Sequence, residues 1–293
     1  MAGVASAGQD PALTLAVCTN RLSRHVEHVI ANARTLSPAD TTLCIVDSPP
    51  GETQEAVARL RSAGVQIHQN PQNLGLSASR NQALALAETR YLVFLDDDAR
   101  INPALLSAIR ASFARGAGVV GVRLRPPEEL RLERWFMGRP QYHYLALHRP
   151  DRPASVWGAC MGIDLELVRR QGLRFRQELG RRGRALQSGD DTTFFRELVR
   201  GGARSDVLET VSATHHIAKE RIRMRYLMRR AVWQGRSEVR RRQPWSGLQK
   251  EFRRNLDGVG GHPRLIALGL LYTASVAAGI AWEGIHHRRL PEQ

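Results

Sequence analysis

Three consecutive carboxylates, Asp96, Asp97 and Asp98, close the apolar run Tyr91 to Leu95. Like charges crowded at one strand end repel one another, and a divalent cation among them relieves that repulsion. Extended backbone alternates its side chains, so Asp96 and Asp98 point the same way. Mg²⁺ and Mn²⁺ keep several non-protein ligands, so one or two carboxylates completed by phosphate oxygens is how such an ion meets a phosphorylated ligand. The competing reading is a solvated acidic turn capping a helix that starts near Pro103. A second pair, Asp190-Asp191, lies between Gly189 and Thr192. It offers a general base, or an N-cap and dipole complement worth ~1 kcal/mol, and the two roles are compatible. His215 and His216 follow Ser212-Ala-Thr; of the pair, His216 is the candidate third metal ligand, against a purely structural role.

Groups spread over 120 residues need a scaffold that gathers them. Short apolar runs at Leu13 to Cys18, Thr42 to Val46, Val65 to His68, Tyr91 to Leu95 and Val119 to Val122 alternate with helix-period stretches at Ser23 to Arg34, Glu52 to Ala63, Ser77 to Glu88 and Pro103 to Arg115. Repeated βα units of this kind predict an α/β fold with a doubly wound, mostly parallel, Rossmann-like sheet. Ligands of such sheets lie at the carboxyl ends of the strands, which selects Thr19, Asn20, Asp47 and the Asp96 run. Between the third and fourth strands, Asn73-Leu-Gly75 turns into a helix carrying Arg80 and Asn81. Free N–H groups there, with Arg80, are suited to an anion, while the plain alternative for both side chains is helix surface. No GxGxxG follows a strand and no P-loop is present, which speaks against a dinucleotide oxidoreductase.

The ordered set Val17-Cys-Thr-Asn20, Ile45-Val-Asp47, Asn73-x-Gly75 through Arg80-Asn81, Phe94-Leu-Asp-Asp-Asp98 and Gly189-Asp-Asp191 resembles glycosyltransferase family 2, over roughly residues 12 to 240. The resemblance implies a GT-A fold and inverting transfer of a sugar from a UDP- or dTDP-linked donor to an acceptor hydroxyl, assisted by Mn²⁺ or Mg²⁺. It puts Asp47 on the base or ribose, Arg80 on the nucleotide side, Asp96 and Asp98 in the DxD metal motif, and Asp97 on the metal side or the donor ribose. Asp191 becomes the general base, with Asp190 beside it on the acceptor side. Trp157, Gly158 and Ala159 match the family's segment beneath the acceptor, where small residues admit the sugar and an aromatic stacks on it; a buried strand with a bulge at Gly158 explains them equally. Cys18 stands where the family often has proline, Pro49-Pro50-Gly51 replaces a polar loop, and Asp190 replaces the usual glutamate. Trp233 lacks the Gln-x-x-Arg-Trp motif of processive synthases, so a single transfer is expected.

The chain has 293 residues and a formal net charge of +15. Residues 1 to 100 hold eight arginines against ten acids, whereas residues 218 to 254 hold 13 basic side chains against three acidic. The charge is therefore local, and binding of nucleic acid is not expected. Only Lys219 and Lys250 are lysines, a bias that lowers the weight of raw pI. Cys18, Cys44 and Cys160 form no CxxC pair, which fits a reducing compartment. Met1 to Pro11 has no signal-peptide pattern, so a cytoplasmic location is expected.

A GT-A catalytic domain is expected over 12–217, with a donor half at 12–125 and an acceptor half at 126–217, followed by a helical extension at 218–293. Glu128 to Arg152 reads as a long loop or lid. The basic stretch has four readings: a grip on a donor diphosphate, an anionic membrane surface, a phosphate-linked lipid acceptor, or a solvated face. Leu265 to Trp282 is uncharged for 18 residues, ~27 Å as a helix, and reads as buried, membrane-surface or spanning. The acceptor is a sugar, a lipid-linked molecule or a small molecule. Sugar-phosphate nucleotidyl transfer and a non-catalytic polyanion- or membrane-binding protein are the competing functions.

Overall fold

The computed structural model describes residues 12–51, 53–130, 140–257 and 262–287. The N-terminal stretch Met1 to Pro11 and residues 131–139 of the expected lid lie outside the described residues.

Eight strands form one sheet: β1 (Leu13–Thr19), β2 (Thr41–Val46), β3 (Gln66–Gln69), β4 (Tyr91–Asp96), β5 (Ala99–Arg100), β6 (Val119–Arg125), β7 (Cys160–Asp164) and β8 (Ser205–His215), in the order β3-β2-β1-β4-β7-β6-β8-β5. The first half is parallel, as the alternating βα pattern requires, with β1 central between β2 and β4. The sheet departs from a uniform parallel winding at β7, which runs antiparallel to both β4 and β6. That reversal brings Trp157 to Ala159, just before β7, beside the carboxyl end of β4; the Asp96 N–H donates to the Ala159 carbonyl. β8 was not legible as a strand because its pattern is polar and only half-buried.

Helices α1 (Arg24–Leu36), α2 (Gln54–Ser62), α3 (Leu76–Leu86), α4 (Pro103–Ala114), α6 (Leu165–Gln171) and α7 (Asp190–Arg200) belong to the sheet-bearing part of the chain, and α5 (Pro140–Tyr144) is a single short turn. Their apolar stripes build two cores that share the sheet, one around Leu15, Ile30, Leu105 and Phe113, the other around Ile45, Phe94, Phe175 and Phe194. The three cysteines are free and buried among these residues. Asn102, not an aspartate, caps α4: its side chain accepts from the Leu105 N–H and Pro103 occupies the first turn. The acid run is thereby relieved of the capping role.

The chain ends in α8 (Met224–Arg240), α9 (Pro244–Leu256) and α10 (Pro263–His287). Tyr142, Tyr144 and Leu147 share a third core with Leu227, Ala231, Tyr272 and Val276, so α8 and α10 pack on the segment after β6. α8 and α10 cross at glycines: a β-carbon at Gly235 would fall 1.9 Å from the Val276 carbonyl oxygen, and one at Gly279 1.9 Å from that of Val232. Arg236 lies between the Trp233 and Trp282 rings, 3.8 and 3.9 Å from their centroids, and shares Glu283 with Arg240. Trp233 thus joins two helices.

Candidate active site

Two adjoining cavities open at the carboxyl ends of β1, β2 and β4, sharing Leu76, Asp96, Ala146 and Arg181 in their walls. The first is lined by Thr19, Asn20, Asp47, the Asp96 run, His215, Arg181 and Arg221. Asp96, Asp98 and His215 each bring one ligand atom within 4.8 Å of the others, a spacing that suits one cation. His215 Nε2 is 2.9 Å from Asp98 Oδ1, yet that oxygen is buried with no hydrogen bond among the described residues. An orphaned carboxylate oxygen beside an imidazole nitrogen is what a shared cation would satisfy. His216, the ligand expected from the sequence, is outside this cluster. Adjacent residues of an extended chain face opposite ways, and its ring instead packs edge-on against His25.

Arg221 donates to Asp98 Oδ2 at 3.0 Å. Burial works to raise the Asp98 carboxyl, but His215 and Arg221 outweigh it and hold it at about 2. Asp97 goes the other way. Burial, then the charge of Asp98, push it up to about 7, and the Thr19 hydroxyl donates to its Oδ2 at 2.5 Å. One strand end thus carries carboxylates with opposite tendencies, the pattern produced when only some have cationic partners.

Asp47, expected at the base or ribose, lines the cleft, but its carboxylate already accepts three N–H groups: the Asn70 amide at 2.8 Å, Leu74 N–H at 2.8 Å and Gly75 N–H at 2.7 Å. Gly75, at φ +98°, supplies the left-handed turn that aims its N–H at Asp47. The next N–H, of Leu76, donates to the Arg181 carbonyl at 2.8 Å. The start of α3, expected to face an anion with free N–H groups, is therefore occupied by the protein itself at these three positions. Asn81, too, is engaged internally, clasping the Phe175 backbone through both its amide groups.

Arg80 is the link between the cavities. It is buried against Phe94 and Phe175, and its guanidinium donates to Asp96 Oδ1 at 3.1 Å and Asp190 Oδ2 at 2.9 Å. It lines the second cavity, with Asp190 and Asp191, rather than the cleft of Thr19 and Asp47. Gly158 is explained by the same guanidinium: a β-carbon there would sit 2.5 Å from Arg80 Nη2. α7 begins after Gly189, with no side-chain cap; Asp190 also accepts from the Ser77 hydroxyl, so it binds across the fold instead of capping. Asp191 Oδ2 accepts the Gly158 N–H at 2.8 Å and Oδ1 the Thr192 N–H at 2.7 Å, which fixes the carboxylate at the cavity wall. Trp157 lines that cavity with one ring face stacked on His148 at 4.0 Å, and Ala159 is buried beside it.

A sequence profile of Glycosyl transferase family 2 matches residues 17–172, more than half of the chain. The chain belongs to this family. The glycosyltransferase fold agrees with solved structures. The mannosyltransferase PcManGT from Pyrobaculum calidifontis, in complex with GDP-Man and Mn²⁺, is similar with a TM-score of 0.58 at 17% identity, over 94% of this chain and 76% of that one. TarS 1-349 of S. aureus, in complex with UDP, is similar with a TM-score of 0.51 at 15% identity, over 96% and 93%. No curated protein matches the chain. The architecture is the GT-A fold with C-terminal helices, and sugar transfer replaces the nucleotidyl-transfer and non-catalytic alternatives.

The glycosyltransferase also brings to its cavities residues that motif spacing did not single out. Arg181 and Arg221 flank the acid run, and His143, Arg230, Arg241, Lys250 and Arg254 line the Asp191 cavity. They come from loops, from α5 and from the C-terminal helices. For Arg221, Arg230, Arg241, Lys250 and Arg254 the only sequence signal was the basic excess after residue 218; His143 falls in the stretch read as a loop or lid, and Arg181 carried no signal.

Proposed function

We propose that the enzyme moves a single sugar, with inversion, from a nucleotide diphosphate sugar to an acceptor hydroxyl, and that Asp191 is the general base. The observation that carries this reading is the pairing of two cavities across Arg80: the Asp96, Asp98 and His215 cluster on one side, the fixed Asp191 carboxylate on the other. An inverting displacement needs leaving group and base on opposite faces of the anomeric carbon. In this scheme Thr19, Asn20, Asp47 and Asp97 border the nucleotide, and Arg181 and Arg221 oppose the charge that grows on the departing diphosphate. A bound divalent cation supplies further charge stabilisation there, and the imidazole in its donor set favours Mn²⁺ over the all-oxygen preference of Mg²⁺. Asp190, neutralised by Arg80, keeps Asp191 in place, while Trp157, Gly158 and Ala159 form the acceptor floor.

The similar structures hold GDP-Man, UDP and UDP-GlcNAc, which supports a nucleotide-sugar donor and makes a guanosine-linked donor a candidate beside the uridine and thymidine ones. A thermal-shift screen of nucleotides and nucleotide sugars, each with and without Mn²⁺, tests the reading. The expected result is metal-dependent stabilisation by one nucleotide series; stabilisation by none would remove the donor site.

The enzyme is further proposed to work at the cytoplasmic face of an anionic membrane. α10 exposes Ile266, Leu270, Leu271, Trp282 and Ile285, and α9 exposes Trp245 and Phe252, on the part of the chain that holds the basic excess. The crossing with α8 supports a helix lying on the surface over one that spans it.

A further inference from the structure

The wall of the Asp191 cavity contributed by α8 and α9 carries more positive charge than the protein answers. Arg241 is paired with Glu238, and Arg254 with Glu251 at 2.5 Å. Arg230 has no carboxylate partner among the described residues. It is only 6% exposed, its Nη1 donates to the Leu186 carbonyl and the Ser188 hydroxyl at 3.2 Å each, and its Nε is buried without any hydrogen bond. Burial, with Arg181 nearby, pushes its guanidinium down to about 10. Lys250, an exposed side chain on the cavity wall, lacks an ion pair among the described residues, and partial desolvation beside Arg254 and Arg196 lowers its affinity for the proton. His143 adds a buried Nε2 with no partner. A guanidinium remains charged at any physiological pH, so a buried one without a counter-ion is a standing cost that an incoming anion removes.

We propose that the acceptor carries an anionic group, a phosphate or carboxylate, that binds between Arg230, Lys250 and His143 and so presents the acceptor hydroxyl to Asp191. The proposal rests on the glycosyltransferase reading above and adds the chemical class of acceptor to it. Arg230 lines the Asp191 cavity and is absent from the walls of the Asp96–Asp98 cleft, which sets it on the acceptor side of Arg181. The planar donor fork of an arginine with a free Nε edge is matched to a phosphate or carboxylate, and a lysine from the facing helix supplies a second, adjustable charge. A soluble sugar phosphate or sugar acid and the phosphate of a lipid-linked acceptor present the same group.

The test uses the full chain with Mn²⁺ and the nucleoside diphosphate that stabilises it best. Affinities are measured for glucose, glucose 6-phosphate, glucuronate and micellar farnesyl phosphate. Binding of an anionic probe, with glucose at least roughly tenfold weaker, is the expected result, and the better anion distinguishes a soluble from a lipid source. Arg230→Gln and Lys250→Gln should each weaken that anion by about tenfold or more while nucleotide affinity stays unchanged. Equal binding of glucose, absence of any anion binding, or displacement of the anion by the nucleoside diphosphate would overturn the proposal; the last would assign Arg230 to the donor. Failure of the donor reading is seen separately, as no nucleotide binding at all.

Discussion

Asp191 and Arg80 sit side by side but are asked to do different work. Asp191 is held by two backbone N–H groups and makes no ion pair among the described residues, whereas Arg80 is enclosed and answers two carboxylates. Asp191→Asn keeps the volume but removes the proton acceptor and one of the two oxygens that accept backbone N–H groups, so kcat should fall about 10²- to 10⁴-fold with nucleotide and Mn²⁺ binding unchanged. Loss of donor binding in that variant would show that the residue has another task. Arg80→Met strands Asp190 as a buried charge, a defect of roughly 3–5 kcal/mol, so its melting temperature should drop even without ligand. A stable variant with only weakened nucleotide binding would restore the expected nucleotide role. For the histidines, His215→Ala should weaken Mn²⁺ binding at least roughly tenfold and His216→Ala should leave it unchanged. The sequence marked the pair and put His216 forward, but the choice depends on which way β8 faces, and β8 was not visible as a strand.

Among the elements, those with a strict burial pattern were legible: β1, β2 and β4 are buried along nearly their whole length, and α6 starts and ends where a capping Asp164 and a left-handed Gly172 put it. The reversal at β7 was not, since an antiparallel strand buried on both faces reads like a parallel one. Nor did the sequence disclose that α8 and α9 wall the Asp191 cavity; the same arginines would make a solvated face if the helices pointed elsewhere. Their placement depends on the backbone approach at Gly235 and Gly279. Gly279→Val inserts three carbons where even one has no room, so it should cost at least about 2–3 kcal/mol and loosen α10 from α8. Hydrogen exchange should show faster exchange in both helices, with β1 and β4 unaffected. Unchanged protection in α8 would mean that the crossing does not hold the helix in place.

For the molecule as a whole, the question is whether its charge and its apolar helix act together. Only 28% of the most apolar window of α10 is buried, yet that helix is held to α8 by Glu283, which answers Arg236 and Arg240. Spanning a bilayer would break this contact and leave a carboxylate at the lipid boundary, whereas lying in the interface buries Leu270, Leu271 and Ile285 and keeps the ion pairs intact. Basic side chains near the surface add roughly 1 kcal/mol each toward anionic lipid and lose it as salt rises. The chain should therefore bind vesicles containing phosphatidylserine, bind neutral vesicles poorly, and be released by carbonate washing. Replacing Leu270 and Leu271 together with glutamate should weaken vesicle binding by about tenfold or more without affecting nucleotide binding. Resistance to carbonate extraction would favour a span, and binding that ignored both salt and this double substitution would detach the apolar face from any membrane role.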